Sequence, residues 1–316
     1  MKEGWRKGMS VEAASGADLT PHVERMKIAL HLGAACTDGD ALIWSLLKDA
    51  EAFESRGTAI PRPRRFRPQM RQIQARLKGA TLEPMLQDQL LSFIAGEASP
   101  ERVILSDDSF LSMPSKVFEG GTFYSGAGNA AQSLRAMFSN HDCAFYLGMR
   151  NPATFIAELV RTEAPLTYET LLNGADPNAI RWSEVVGAIR AACSDVPLTV
   201  WCNEDTPLVW PMLLHDISGT DEEVHLSGAT DIASKLLGPE GQLALASSFE
   251  DGLPATSDEL VDTIADVLAE HVETSDIEEI VDLPAWTNTQ VDDITEAYEA
   301  DVDLIAAMEG VQVLRP

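Results

Sequence analysis

Five short apolar runs stand far apart in the chain, separated by stretches in which leucine and alanine recur at helical spacing. Met26–Gly33 (MKIALHLG), Arg102–Ser106 (RVILS), Ala144–Met149 (AFYLGM), Leu198–Cys202 (LTVWC) and Val311–Leu314 have the length and β-branched content of buried strands. Leu42, Leu46 and Leu47 share one face of a helix that Asp40 is placed to cap and that runs to about Glu54. Further helices are expected over Pro68–Lys78, Glu83–Ala95, Ala130–Phe138, Thr154–Arg161 and Ser183–Ala192, then over Asp231–Leu237, Asp258–Val272 and Asp292–Met308. Buried strands alternating with amphipathic helices predict an α/β fold: a three-layer parallel sheet with helices on both faces.

In such sheets a ligand sits beyond the carboxyl ends of the strands. Those ends are Gly33–Asp40, Asp107–Asp108, Arg150–Asn151 and Asn203–Asp205. Trp201 and Trp210 flank the last of them and fit either core packing or stacking on a sugar.

The 316 residues divide, on this reading, into a mobile extension (1–25), an α/β core (26–215) and an acidic, mainly helical part (216–316) that completes the same domain. No run of 18 apolar residues occurs, which excludes a membrane-spanning helix. The first 25 residues lack the apolar centre of a secretory signal. Cys36, Cys143, Cys193 and Cys202 lack metal-ligand spacing, so neither a zinc site nor a disulfide framework is expected, and a cytoplasmic location fits.

Charge changes the picture most. The net charge is −27, which argues against nucleic acid as a partner. Residues 1–200 hold 21 basic and 23 acidic side chains, whereas residues 201–316 hold only Lys235 and Arg315 against 27 acids. Between Arg56 and Leu82 stand eight bases and no acid. This 56–78 segment can bind an anion, dock on the protein's own acids, or form a solvated face. Either it or the acidic C-terminal third is a candidate surface for a protein partner.

The strand, turn and helix over Lys27–Leu47 have the layout of a phosphate-binding loop, but the glycine spacing and lysine of G-x-x-x-x-G-K-[ST] are missing. His31-Leu32-Gly33-Ala34-Ala35-Cys36-Thr37-Asp38-Gly39-Asp40 instead resembles the H-x-G-x-x-K-T-G-T-[TS] loop of bacterial sulfotransferases. Ala144–Glu158 (AFYLGMRNPATFIAE) is similar to that family's strand followed by R-[ND]-P-x-x-x-x-x-S. The resemblance covers Met26 to Asp205 and implies a P-loop, sulfotransferase-like fold with PAPS (3′-phosphoadenylyl sulfate) as cofactor. It further implies sulfuryl transfer from PAPS to a hydroxyl of a carbohydrate or small-molecule acceptor. The backbone of Gly33, Ala34, Thr37 and Gly39 would hold the phosphosulfate and Arg150 the 3′-phosphate. Asp107 or Asp108 stands where a general base is needed, with His31 as a further catalytic candidate. The competing readings are turn-capping for the two aspartates, together with Ser109, and a hydrogen-bonded core position for His31.

Four residues depart from the pattern. Cys36 replaces the lysine, Asp38 and Asp40 replace Gly and Ser/Thr, and Glu158 replaces the serine that bonds the 3′-phosphate. Each carboxylate within a few ångströms of the donor opposes it by about 1–4 kcal/mol. A lost cation at the developing charge costs about 10²–10³ in rate. Impaired transfer is therefore one expectation. A catalytically inactive binding or scaffold protein of the same fold is the alternative, and a divalent-cation phosphotransferase built on Asp38, Asp40 and Asp107 or Asp108 is a third.

Overall fold

The computed structural model describes residues 25–77, 80–96, 100–249, 252, 254, 256–272, 281–284 and 286–316. All but one residue of the expected N-terminal extension lies outside them. Six strands form one sheet: β1 (Lys27–His31), β2 (Thr58–Ala59), β3 (Arg102–Ser106), β4 (Asp142–Met149), β5 (Leu198–Cys202) and β6 (Val311–Leu314). Their order is β2-β3-β1-β4-β5-β6, and every pairing is parallel. β1 lies inside, with Ala29 level with Ile104 on one neighbour and Ala144 on the other.

Alternation along the strands sends their side chains into two cores. Ile28, Leu30, Val103, Leu105, Phe145, Leu147, Leu198 and Val200 face one layer; Ala29, Ile104, Tyr146 and Trp201 face the other. The second layer begins with α1 (Ala41–Leu47) and α2 (Ala50–Ser55). The first is built from α3 (Pro63–Leu77), α4 (Pro84–Ala95), α5 (Ala127–Met137), α6 (Pro152–Thr162), α7 (Tyr168–Leu172) and α8 (Trp182–Ala192). The chain then returns to the second face as α9 (Thr206–Ser218), α10 (Asp231–Leu236), α11 (Pro239–Ser247) and α12 (Ser257–His271). Finally α13 (Asn288–Ala306) packs on the first face before β6. The sheet is thus covered on both faces, as the apolar strands require. Trp201 and Trp210 are core residues, and the Trp210 indole donates to the Gly228 carbonyl.

The local corrections concern helix ends. The helix expected from Asp40 to Glu54 breaks at Lys48–Asp49, and Asp40 sits in the left-handed region (φ 69°) without capping α1 through its side chain. α3 begins at Pro63 rather than Pro68, because a proline in the first turn needs no N–H partner. No described helix is long and apolar enough to cross a membrane.

Candidate functional site

The fold gathers the expected residues at one edge of the sheet. Past the end of β1 the turn keeps pairing with β4: Ala34 donates to the Gly148 carbonyl (3.0 Å), and Gly148 donates to the Gly33 carbonyl (2.7 Å). Gly33 has φ +95°, and a Cβ there would meet the Asp108 backbone at 2.9 Å. Both the torsion and the close approach demand glycine. Arg150, at the end of β4, donates from Nη1 to the Cys36 carbonyl (2.5 Å) and from Nε to Thr154 Oγ1 (3.2 Å). The Gly33 loop, Asp108 and Arg150 therefore meet.

The loop spends much of its bonding capacity internally. Thr37 Oγ1 donates to the Ala34 carbonyl, and the Ala35 amide donates to the phenol oxygen of Tyr124 (3.1 Å). Tyr124 is buried, and that burial pushes its pKa well up. At the start of α1 the Asp38 carbonyl accepts from Ala41 N, and its carboxylate accepts from Leu42 N (2.9 Å). Asp38 thus lends its own charge to the helix terminus that would attract a bound anion. The amides of Cys36 through Asp40 have no protein partner among the described residues, but two carboxylates stand among them.

On the β3 side, α3 delivers two arginines. The Arg67 guanidinium, 14% exposed, bonds both Asp40 oxygens and the Ser106 carbonyl, and lies 3.8 Å from Asp107. Arg71 takes both oxygens of Asp107, whose side chain is fully buried and which also accepts from the Ser109 amide. With its oxygens so engaged, Asp107 is built as a structural anion. Asp108 differs. Its carboxyl pKa is raised, first by desolvation, with Ser109 Oγ donating to Oδ1 and partly offsetting the rise. Burial thus disfavours the charged form of Asp108, whereas Asp107 is met by arginines.

His31 lies in the core at 0% exposure, its Nδ1 paired with Ser106 Oγ (2.9 Å) and its ring stacked on Trp201 at 5.7 Å. Burial lowers its pKa, so it stays neutral near pH 7. The basic segment has mixed fates: Arg67 and Arg71 dock on site carboxylates, Arg65 bonds the Phe93 carbonyl, and Arg62 lies over the Trp44 ring.

Two cavities open at this edge and share Thr154. The smaller, about 460 Å³, is lined by Arg150, Glu158, Arg161, Asp282 and Leu283. Glu158 and Arg161 form an ion pair, which holds the Glu158 carboxyl below its usual range. Two cations and two carboxylates leave no positive excess for a phosphate monoester. The larger cavity, about 960 Å³, lies beyond the carboxyl ends of β1, β4 and β5 and is bounded by Asp38, Asn151, Glu204, Asp205 and Lys235. Glu204 is committed there, accepting from the Asn151 amide and the Tyr298 hydroxyl. Among the described residues, no three Asp, Glu, His or Cys side chains converge as a metal site.

Sequence reasoning did not single out Tyr124 or Thr154, and only the fold could reveal them. Tyr124 reaches the loop from a connection after β3, and Thr154 lies one helical turn beyond Arg150. No family model matches the chain, and neither does any curated protein.

Proposed function

We propose that this chain is a sulfotransferase-like protein that works by binding rather than by sulfuryl transfer. The observation that carries this reading is the Asp38 carboxylate bonded to the first turn of α1, where the family's loop would hold the donor's phosphosulfate. The residues present do not fit that group. Cys36 supplies no charge, Arg67 and Arg71 are tied to Asp40 and Asp107, and Glu158 neutralises Arg161 beside the 3′-phosphate position. Arg150 and Asp108, both meeting the Gly33 loop, are what favours transfer as the second reading.

Isothermal titration with PAP (adenosine 3′,5′-bisphosphate) separates the two. The binding-only reading expects no heat at millimolar PAP from protein shown to be folded by circular dichroism. Rebuilding the loop with Cys36→Lys, Asp38→Gly and Asp40→Thr is then expected to create measurable affinity. Micromolar binding by wild type that Arg150→Ala abolishes would overturn the proposal and restore sulfuryl transfer.

A further inference from the structure

We infer that the larger cavity binds an organic ammonium ion carried on an apolar body. The cavity lies at the carboxyl ends of parallel strands, where ligands of such sheets bind, and is large enough for a drug-sized molecule. One wall is aliphatic: Leu208 of α9, Ile232 and Leu236 of α10, and Leu268 with Val272 at the end of α12. The polar side carries two carboxylates that are not neutralised by contact. The Asp205 carboxylate has no hydrogen-bonding partner among the described residues, and partial burial raises its pKa; among those residues the Asp38 carboxylate accepts from Leu42 N alone. Beside Asp205, the Thr206 hydroxyl is buried without a partner in a residue 5% exposed that also lines the cavity. A buried hydroxyl without a bond is costly, and a water or a ligand group that reaches it would supply the missing partner.

The charge balance selects the sign. Among the described lining residues Asp38 and Asp205 outnumber Lys235, and Arg315, which acts on Asp205 from outside the lining, is already paired with Asp303; this rules against an anion of this size. A hard metal ion needs six or more converging oxygens, and the described acids do not converge. An ammonium head can bond Asp205 or Asp38 singly while its body covers the aliphatic wall. Asp38 and Thr37 are shared with the loop, but Asp205 and Lys235 belong to this cavity and Arg150 and Glu158 do not line it, so the PAP result read at Arg150 and the ammonium result read at Asp205 are separable.

The probes are n-octylamine, n-octanol, n-octanoate and spermidine, titrated calorimetrically into the full chain at pH 7.5. Octylamine is expected to bind at least tenfold more tightly than each of the others. Asp205→Asn, an isosteric change, is expected to weaken octylamine about tenfold, and Lys235→Met to tighten it about threefold. Glu51→Gln, at an exposed acid of α2, should leave the affinity unchanged. Octanoate matching octylamine, spermidine matching it, or no binding at all would overturn the assignment. So would equal losses in Asp205→Asn and Glu51→Gln, which would mark general attraction to an acidic surface. Circular dichroism of each variant separates lost binding from lost fold.

Discussion

Two sets of carboxylates flank the β1 loop, and the molecule treats them in opposite ways. On the β3 side, Asp40 and Asp107 are met from within by Arg67 and Arg71. On the β5 side, Asp38 and Asp205 border a cavity in which Lys235 is the one lining cation among the described residues. The first set is structural: Asp107 is fully buried and Asp40 partly so, and both carboxylates are tightly paired. The second has open oxygens and an apolar wall beside them. Two members of the eight-base run thus neutralise the protein's own carboxylates, whereas Asp38 and Asp205 keep the features of a binding site.

The largest test of this contrast is stability. Arg67→Met leaves a fully buried Asp107 with one fewer cation and strips Asp40 of its partner. The expected loss is about 3–5 kcal/mol in urea unfolding, the range for breaking a buried pair from one side. Lys235→Met, across the loop, should stay within about 0.5 kcal/mol. Equal costs would erase the distinction between the two flanks.

Glycine substitutions sharpen it at smaller scale. Gly33→Ala forces a methyl to 2.9 Å from the Asp108 backbone at φ +95°, and should cost about 2–4 kcal/mol. Gly39→Ala has φ +55° but nothing within 4 Å, so only the left-handed penalty of about 1–2 kcal/mol applies. Thermal unfolding of the pair measures how much of the loop's rigidity comes from contact with the compensated side.

The smallest effect is the pH response. His31, His141 and His215 all have lowered pKa values because burial disfavours their charged forms. Below about pH 6.5 the unfolded chain therefore binds more protons than the folded one, and Tm should fall as pH drops from 7 towards 5. Asp108 and Asp205 act with the opposite sign, their raised pKa values favouring the fold most below about pH 3.8 and less as pH rises through the folded values. Asp205→Asn should accordingly raise Tm slightly at pH 7, and an unchanged or lowered Tm would show that Asp205 is compensated after all.

Much of the fold was legible because each long strand is a compact apolar run. β2 escaped because two residues, Thr58 and Ala59, carry no periodicity. α9 escaped because Pro207 and Pro211 read as breakers, although Pro207 lies in the first turn, where a missing N–H costs nothing. The site was half legible. Gly33, Asp107, Asp108 and Arg150 lie at expected strand ends and His31 entered through the motif resemblance, yet sequence could not sort them. Asp107 and Asp108 are adjacent and alike on the page; one is locked between arginines, and the other holds a raised pKa because burial desolvates its carboxyl. Likewise the destination of the basic segment depends on which helical face meets the sheet, and a charge count does not contain that information.

The last strand sets the timetable of assembly. β6 pairs with β5 in register, Leu198 opposite Val311, yet about a hundred residues of helix and connection separate the two. During synthesis β5 must wait with one edge open while α9 to α13 emerge, and pairing over such a sequence distance is slow. An open apolar edge is a template for other chains. The heavy negative charge of that late-made stretch then acts in time as well as in space, keeping nascent copies apart until β6 arrives to cover the β5 edge.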